Sequence, residues 1–225
     1  MPDTPLILLH GALGAARQFD AIVPRLGARP VLALDLPGHG ERAGVAGAFT
    51  MDRFVDEVLA AFDRHGLARA RLFGYSMGGY VALLLAARHP ARVAGVTTLG
   101  TKLAWTPEVA ARESRFLDPD AIAAKVPRFA EALAGRHGPE RWGAVCRRTA
   151  ALLAALGERP PLDETLYATL SVPVRLAVGD RDATVTLEET IGASRAIPGA
   201  ELAVLPGTEH AWETVEAEQV VALLE

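Results

Sequence analysis

A serine framed by glycines lies between an apolar segment and a helix-like segment, in the sequence GYSMGG at residues 74–79. The residues before it are typical of the end of a short buried strand, and those after it of a packed helix. A sharp strand-to-helix turn would lift the Ser76 hydroxyl above the sheet, and it leaves no room for side chains at Gly74 and Gly78. Because serine becomes nucleophilic only when geometry and a base activate it, this pattern predicts covalent chemistry at Ser76.

A nucleophilic serine needs a base, and His210 is the best placed of the six histidines. It follows the last predicted strand, and loops after the carboxyl ends of parallel strands meet in one crevice, where Ser76 also belongs. The other five have different settings. His65 and His89 lie at helix ends and His137 at a solvated helix end, whereas His10 lies at the end of the first predicted strand and His39 in a loop between two glycines. The sequence therefore predicts His210 as the base.

The base needs an acid that orients its ring, and two aspartates lie in the loop after the preceding predicted strand. Asp182 is favoured because Gly179 turns the chain and lets the later carboxylate point back into the crevice. Asp180 stays the alternative, and its other role would be to bond the backbone of the turn.

Two backbone amides are candidates for stabilising a negative charge on a substrate oxygen. Met77 begins the helix behind Ser76, and the first N–H groups of a helix have no partner within it. Ala12 follows Gly11 at the end of the first predicted strand, and the glycine allows a close approach of the backbone. These two amides are predicted to form an oxyanion hole.

The elements that must position these residues alternate between strand-like and helix-like segments, the pattern of a parallel sheet with helices on both faces. Buried apolar runs predict strands at residues 6–9, 30–34, 70–73, 93–99, 172–178 and 201–205. Helical spacing predicts helices beginning at residues 16, 50, 80 and 187, and one after residue 212. The alternation breaks from residue 102 to 169, where helix-like segments at 107–116, 120–136, 140–156 and 162–170 predict a helical insertion.

Composition limits the classes of function. The chain has 225 residues, half of them apolar, which suits one domain or one domain with an insertion. No apolar run approaches the length of a membrane span, and residues 1–5 lack the basic region of a signal peptide. Cys146 is the only cysteine, which excludes an internal disulfide and fits a reducing cytoplasm. A net charge of −4 without a basic block argues against nucleic acid as the main partner.

The motifs resemble those of the α/β-hydrolase superfamily from end to end. Besides GYSMGG they include HG at residues 10–11, DLPGHG at residues 35–40 and GDRD at residues 179–182. The resemblance implies a catalytic set of Ser76 as nucleophile, Asp182 as acid, His210 as base, and the amides of Ala12 and Met77 as oxyanion donors. It further implies that His10, Asp35 and His39 build the loops around the site.

The fold implied by this resemblance is an α/β-hydrolase fold with helices on both faces of the sheet and a helical cap. The chain begins almost directly at the strand that carries His10, so we expect a shortened, mostly parallel sheet of about six strands. The expected division is residues 1–101 for the first part of the core, 102–169 for the cap and 170–225 for the second part.

The substrate is less narrowly specified. The chain is similar to small carboxylesterases and to the related lyase of menaquinone synthesis, and the same triad would serve a C–C or amide hydrolase. A non-catalytic ligand-binding protein on a hydrolase scaffold is a further class. Trp105 and Phe116 are candidates for the lining of a pocket for a small ester, and no metal or organic cofactor is called for. An acidic substrate would need cations, and the candidates are Arg17, Arg112, Arg115, Arg147 and Arg148.

Overall fold

The computed structural model describes residues 4–225, so the signal-peptide prediction, which rests on residues 1–5, falls partly outside it. Within the described range one sheet is formed by β1 (Leu6–Leu9), β2 (Val31–Leu34), β3 (Ala70–Tyr75), β4 (Val93–Leu99), β5 (Val174–Gly179) and β6 (Glu201–Leu205). The spatial order is β2-β1-β3-β4-β5-β6, and all five pairings are parallel. The prediction of a shortened parallel sheet of about six strands is confirmed.

The order of the strands reverses between β1 and β3. The chain passes from β1 outward to β2, then returns to the other side of β1 and continues from β3 to β6. At such a reversal the loops after two neighbouring strands leave toward opposite faces and open a crevice at the carboxyl edge of the sheet. The residue after β3 is Ser76 and the residue after β1 is His10, so the loops that carry the predicted nucleophile and the Ala12 amide flank this crevice.

Helices cover both faces of the sheet. They are α1 (Met51–Arg64), α2 (Met77–Arg88), α3 (Pro107–Ser114), α4 (Pro119–Lys125), α5 (Pro127–His137), α6 (Trp142–Glu158), α7 (Glu164–Tyr167), α8 (Leu187–Ala196) and α9 (Ala217–Leu224). Because successive strand side chains point to opposite faces, Ile7 and Leu9 pack in the core with α1, α2 and α8. Leu6 and Leu8 pack on the other face with α9.

Helices α3 to α7 lie between β4 and β5 and belong to the segment predicted as an insertion. The prediction of one helix over residues 120–136 is wrong, because α4 ends at Lys125 and α5 begins at Pro127. A proline has no N–H for the helical ladder and its ring clashes with the preceding turn, so the helix breaks there. The division of the chain into core and cap at residues 102 and 169 stays a prediction.

The segment after β1 also differs from the expectation. Residues 16–26 form two single 3-10 turns, Ala16–Phe19 and Val23–Arg25, in place of one helix. Pro24 would break the ladder of a continuous helix at this point. None of the helices within residues 4–225 has the length and apolar character to cross a bilayer.

Candidate active site

Ser76 occupies a strained turn between β3 and α2. Its φ is 50°, in the region that side chains rarely adopt, and its amide donates to the carbonyl oxygen of Leu99 at 2.9 Å. A Cβ atom on Gly74 would lie 2.3 Å from the amide nitrogen of Gly79, and one on Gly78 would lie 2.1 Å from the carbonyl oxygen of Leu9. Both obstacles are backbone atoms that cannot rotate away, so the turn that exposes Ser76 requires glycine at both positions.

His210 approaches the serine from the loop after β6. Its Nε2 atom lies 3.3 Å from the Oγ atom of Ser76. The hydroxyl of Tyr75 donates to the carbonyl oxygen of His210, and the two rings lie 5.7 Å apart between centroids. The residue before the serine thus holds the loop of the histidine, which keeps the two side chains within reach of each other.

Asp182, in the loop after β5, lies on the far side of the imidazole. Its Oδ2 atom is 2.7 Å from Nδ1 of His210, and its Oδ1 atom accepts from the amides of Thr184 and Val185 at 2.8 and 2.7 Å. These two amides fix the carboxylate, which holds the proton of His210 on Nδ1 and leaves the lone pair of Nε2 facing Ser76. Asp180 is exposed and accepts from the Thr208 amide at 3.2 Å, away from the ring.

The amides of Ala12 and Met77 lie on the two sides of the crevice, in residues that line the same cavity as Ser76 and His210. Neither amide donates a hydrogen bond to any of residues 4–225. Ala12 belongs to a tight turn closed by the bond from the Gly14 amide to the Gly11 carbonyl, at 3.0 Å. The third residue of this turn, Leu13, has a φ of 58°, a left-handed conformation that a leucine adopts only under constraint.

Helix α5 contacts this turn. At the end of α5, Nη1 of Arg136 and Nε2 of His137 lie 2.7 and 2.9 Å from the carbonyl oxygen of Leu13. The prediction that His137 is solvated is wrong, because only 2% of it is exposed. The sequence predicts a helix end at His137, and α5 does end there. Its ring is nevertheless buried, because this end of the helix packs against loops that are distant in the sequence.

Three histidines form a buried cluster behind the crevice. The ring centroids of His10 and His39 lie 4.9 Å apart, and those of His39 and His137 lie 5.7 Å apart. Nδ1 of His137 accepts from the Gly40 amide at 3.0 Å, and Nε2 of His10 accepts from the Leu36 amide at 3.1 Å. The rings of His137 and His10 therefore each have one nitrogen that must stay unprotonated.

Burial lowers the pKa of all three rings. It lowers the pKa of His10 and of His137 to about 4, and it lowers the pKa of His39 well below its ordinary value. The cluster is thus neutral at pH 7 and joins the loops after β1 and β2 to helix α5.

A cavity of about 320 Å³ opens from Ser76 between the sheet and the helical insertion. Its wall is mostly apolar and includes Leu13, Met51, Met77, Trp105, Phe116, Leu117, Leu153 and Leu156. Trp105 and Phe116, predicted to line a pocket, do border it, and Phe116 is 70% exposed at its rim. None of the five arginines considered for an acidic substrate is among the described residues that line it.

Several polar groups of this cavity were missed by sequence reasoning. Lys102 borders it, and its Nζ atom is paired with Glu189 at 3.0 Å, both side chains being almost completely buried. Thr149, on α6, borders it as well and has no exposed surface. No local signal distinguishes these residues, since a lysine in a loop and a threonine in an amphipathic helix are ordinary. Among residues 4–225 no group of three or more His, Cys, Asp or Glu side chains could hold a metal ion.

Comparison with known families agrees with this architecture. Residues 4–197 match the family model described as alpha/beta hydrolase fold. The chain belongs to the alpha/beta hydrolase family. The hydrolase is accordingly an enzyme, and esterases occur among the proteins that it resembles.

This hydrolase is similar to proteins with different activities, as two curated relatives and one solved structure show. A pimeloyl-[acyl-carrier protein] methyl ester esterase of Neisseria meningitidis serogroup C is 32% identical over 247 aligned positions, covering 99% of this chain and 93% of the relative. A 2-succinyl-6-hydroxy-2,4-cyclohexadiene-1-carboxylate synthase of Serratia proteamaculans is 40% identical, but over only 36% of this chain and 32% of the relative. The structure of a thermophilic esterase from Thermogutta terrifontis superposes with a TM-score of 0.78 at 26% identity, covering 98% of this chain and 88% of that one.

Proposed function

We propose that this hydrolase cleaves carboxylic esters through an acyl-enzyme formed on Ser76. The observation that carries the proposal is the line of contacts from Ser76 Oγ to His210 Nε2 at 3.3 Å, and from His210 Nδ1 to Asp182 at 2.7 Å, at the end of an apolar cavity. A serine, an imidazole and a fixed carboxylate in this order are the parts that nucleophilic acyl transfer needs.

In the proposed mechanism Nε2 of His210 accepts the hydroxyl proton as Oγ of Ser76 attacks the ester carbonyl. The carbonyl oxygen becomes an oxyanion, which the amides of Ala12 and Met77 stabilise by hydrogen bonds. The protonated imidazole then donates its proton to the leaving alcohol, and the C–O bond breaks. In the second half, water loses a proton to His210, attacks the acyl carbon and releases the acid with Ser76 restored.

A lyase of the menaquinone-synthesis type is the second candidate, because the synthase of Serratia proteamaculans is similar over 36% of this chain. The carboxylate in that relative's name calls for a cationic site. In the present cavity the single bordering cation among the described residues, Lys102, is already paired with Glu189. This charge balance favours the ester over an anionic substrate. A C–C or amide hydrolase and a non-catalytic binder are left as outcomes of the test.

The proposal is tested by the hydrolysis of p-nitrophenyl esters of increasing acyl length by wild type and by Ser76→Ala. Loss of the nucleophile is expected to lower kcat by about four orders of magnitude or more. Ser194→Ala is the matched control, at a half-buried serine of α8 whose hydroxyl donates to the carbonyl oxygen of Ile191, and it should retain full activity. Equal hydrolysis by wild type and Ser76→Ala would contradict the mechanism. Absence of turnover on all esters, with turnover of an acidic lyase substrate, would favour the second candidate.

The methyl ester of a carrier-bound pimeloyl chain belongs in the same test, because the relative of 32% identity is named for it. We propose methyl esters as one substrate class of this hydrolase. A free pimelate monomethyl ester and the carrier-bound form, compared at equal concentration, separate recognition of the chain from recognition of the carrier protein.

A further inference from the structure

Thr149 borders the catalytic cavity, and its hydroxyl has no hydrogen-bond partner among residues 4–225. A threonine inside a helix ordinarily bonds its hydroxyl to the carbonyl four residues earlier, which here is that of Val145. Thr149 makes no such bond. Its Oγ1 atom is completely buried and has no hydrogen-bond partner among residues 4–225. Buried hydroxyls in native proteins nearly always have a partner. Because Thr149 borders the catalytic cavity, a bound ligand is the partner that we assign to its hydroxyl.

The surroundings of Thr149 restrict what that partner is. Leu153 and Leu156 follow it on α6 and border the same cavity, which makes the wall around the hydroxyl apolar. An apolar wall binds an aliphatic chain, and a single hydroxyl within it selects a chain with an oxygen atom at the matching position.

The charged residues that border the cavity indicate whether this substrate oxygen is charged or neutral. Lys102 is neutralised by Glu189 at 3.0 Å, and the carboxylate of Glu113, which also borders the cavity, accepts from Arg112 at 3.0 Å. With both bordering charges paired, a carboxylate buried here would have no cation to compensate it. The oxygen is therefore an uncharged one, as in a ketone, an ester or a hydroxyl.

We propose that Thr149 determines specificity by donating a hydrogen bond to an uncharged oxygen on the acyl chain of the substrate. This inference rests on the proposed function, because the acyl-enzyme on Ser76 is the reason for placing the acyl chain of the substrate in this cavity. The acyl group remains attached to Ser76 between the two half-reactions, so the cavity that opens from Ser76 must hold it, whereas the alcohol leaves first. The substrate class is thus esters of oxo-, hydroxy- or ester-substituted aliphatic acids.

The first measurement compares p-nitrophenyl esters of plain acids with esters that carry a ketone at successive carbons. For the best position, wild type is expected to prefer the ketone by about tenfold in kcat/KM. Thr149→Val has nearly the same shape without the hydroxyl and should bring the ratio to about one, while Thr149→Ser should retain most of it. Esters with a carboxylate in place of the ketone should be poorer substrates than the plain chain.

The second measurement does not depend on turnover. Binding of plain and ketone-substituted methyl esters to Ser76→Ala, with and without Thr149→Val, is followed by calorimetry. A preference for the ketone that disappears with Thr149 supports the inference even if wild type hydrolyses no ester, in which case the proposed reaction alone is wrong. Ester hydrolysis that depends on Ser76, with a ketone preference that is absent or unaffected by Thr149→Val, overturns the inference and leaves the proposed function standing.

Discussion

The Nε2 atom of His137 lies 2.9 Å from the carbonyl oxygen of Leu13, a residue 124 positions earlier in the chain. The Nδ1 atom of the same ring accepts from the Gly40 amide, so Nε2 is the nitrogen that carries the proton. One neutral ring therefore joins the end of α5 to the loops after β1 and β2. Because Leu13 adjoins Ala12, the helical insertion acts on the turn that presents a proposed oxyanion donor.

Substitution of His137 should separate its two hydrogen bonds. Gln places an amide nitrogen near the position of Nε2 and keeps the donor to Leu13, whereas Asn is shorter and keeps only an acceptor near Nδ1. We expect His137→Asn to lower kcat by about ten- to a hundredfold with little change in KM, since a small displacement of a donor is costly. His137→Gln should recover most of kcat. A rise in KM with unchanged kcat would show that the ring acts on substrate binding. Equal decreases of kcat in both variants would show that it acts on folding.

Stability should fall as the pH is lowered from 7 to 5. Burial lowers the pKa of His10 and His137 to about 4, whereas the unfolded chain titrates near the ordinary value of 6.5. Below pH 6.5 the unfolded chain binds protons that the folded chain does not, so stability is complete above that pH and decreases below it. The loss at pH 5 is about 2 kcal/mol per histidine.

Urea unfolding of wild type and His137→Gln at pH 7.5, 6 and 5 measures this effect. The variant lacks one titrating ring, so its free energy of unfolding should vary less steeply with pH than that of wild type. Identical pH dependence of the two proteins would exclude His137 as a source of the loss.

The two aspartates of the loop after β5 should differ in their effect on catalysis. In Asp182→Asn the amide group would face Nδ1 of His210 and force the ring proton onto Nε2, which removes the base. We expect kcat to fall by about 10⁴-fold while the bonds to Thr184 and Val185 survive. Asp180→Asn is the matched control, because its amide oxygen still accepts from Thr208. Comparable losses in both variants would mean that the loop as a whole, and not the carboxylate at residue 182, is needed.

Glycine at position 78 should be essential to the serine turn. The Cβ atom of Gly78→Ala would lie 2.1 Å from the Leu9 carbonyl oxygen, so α2 or β1 must shift. We expect a loss of about 3 kcal/mol in stability together with most of the activity. Gly192→Ala, in α8, meets no atom within 4 Å and should be neutral or stabilising by up to about 1 kcal/mol. Thermal unfolding and ester hydrolysis of both variants test this, and a fully active Gly78→Ala would be incompatible with the turn.

Strand positions followed from the sequence because a buried parallel strand is a local apolar run bounded by turn residues. The bounds of β1, β4 and β6 agree with the prediction, and β2 begins one residue later than predicted. Helix bounds were less accurate where prolines interrupt an otherwise helical spacing, as at Pro24 and Pro127. The roles predicted for Ser76, Asp182, His210 and the two amides stay predictions until the variants are measured.

The alternation of strands and helices and the family motifs could be predicted from the sequence alone, since each is a pattern of neighbouring residues. The residues proposed for acyl transfer were selected from those motifs. Contacts between side chains that are far apart in the chain could be seen only in the folded protein. The contact of His137 with Leu13, the pairing of Lys102 with Glu189 and the unpartnered hydroxyl of Thr149 depend on how the helical insertion packs over the sheet. That packing buries polar groups against partners that are distant in the sequence. The pattern of apolar and polar residues along the chain does not show which partners these are.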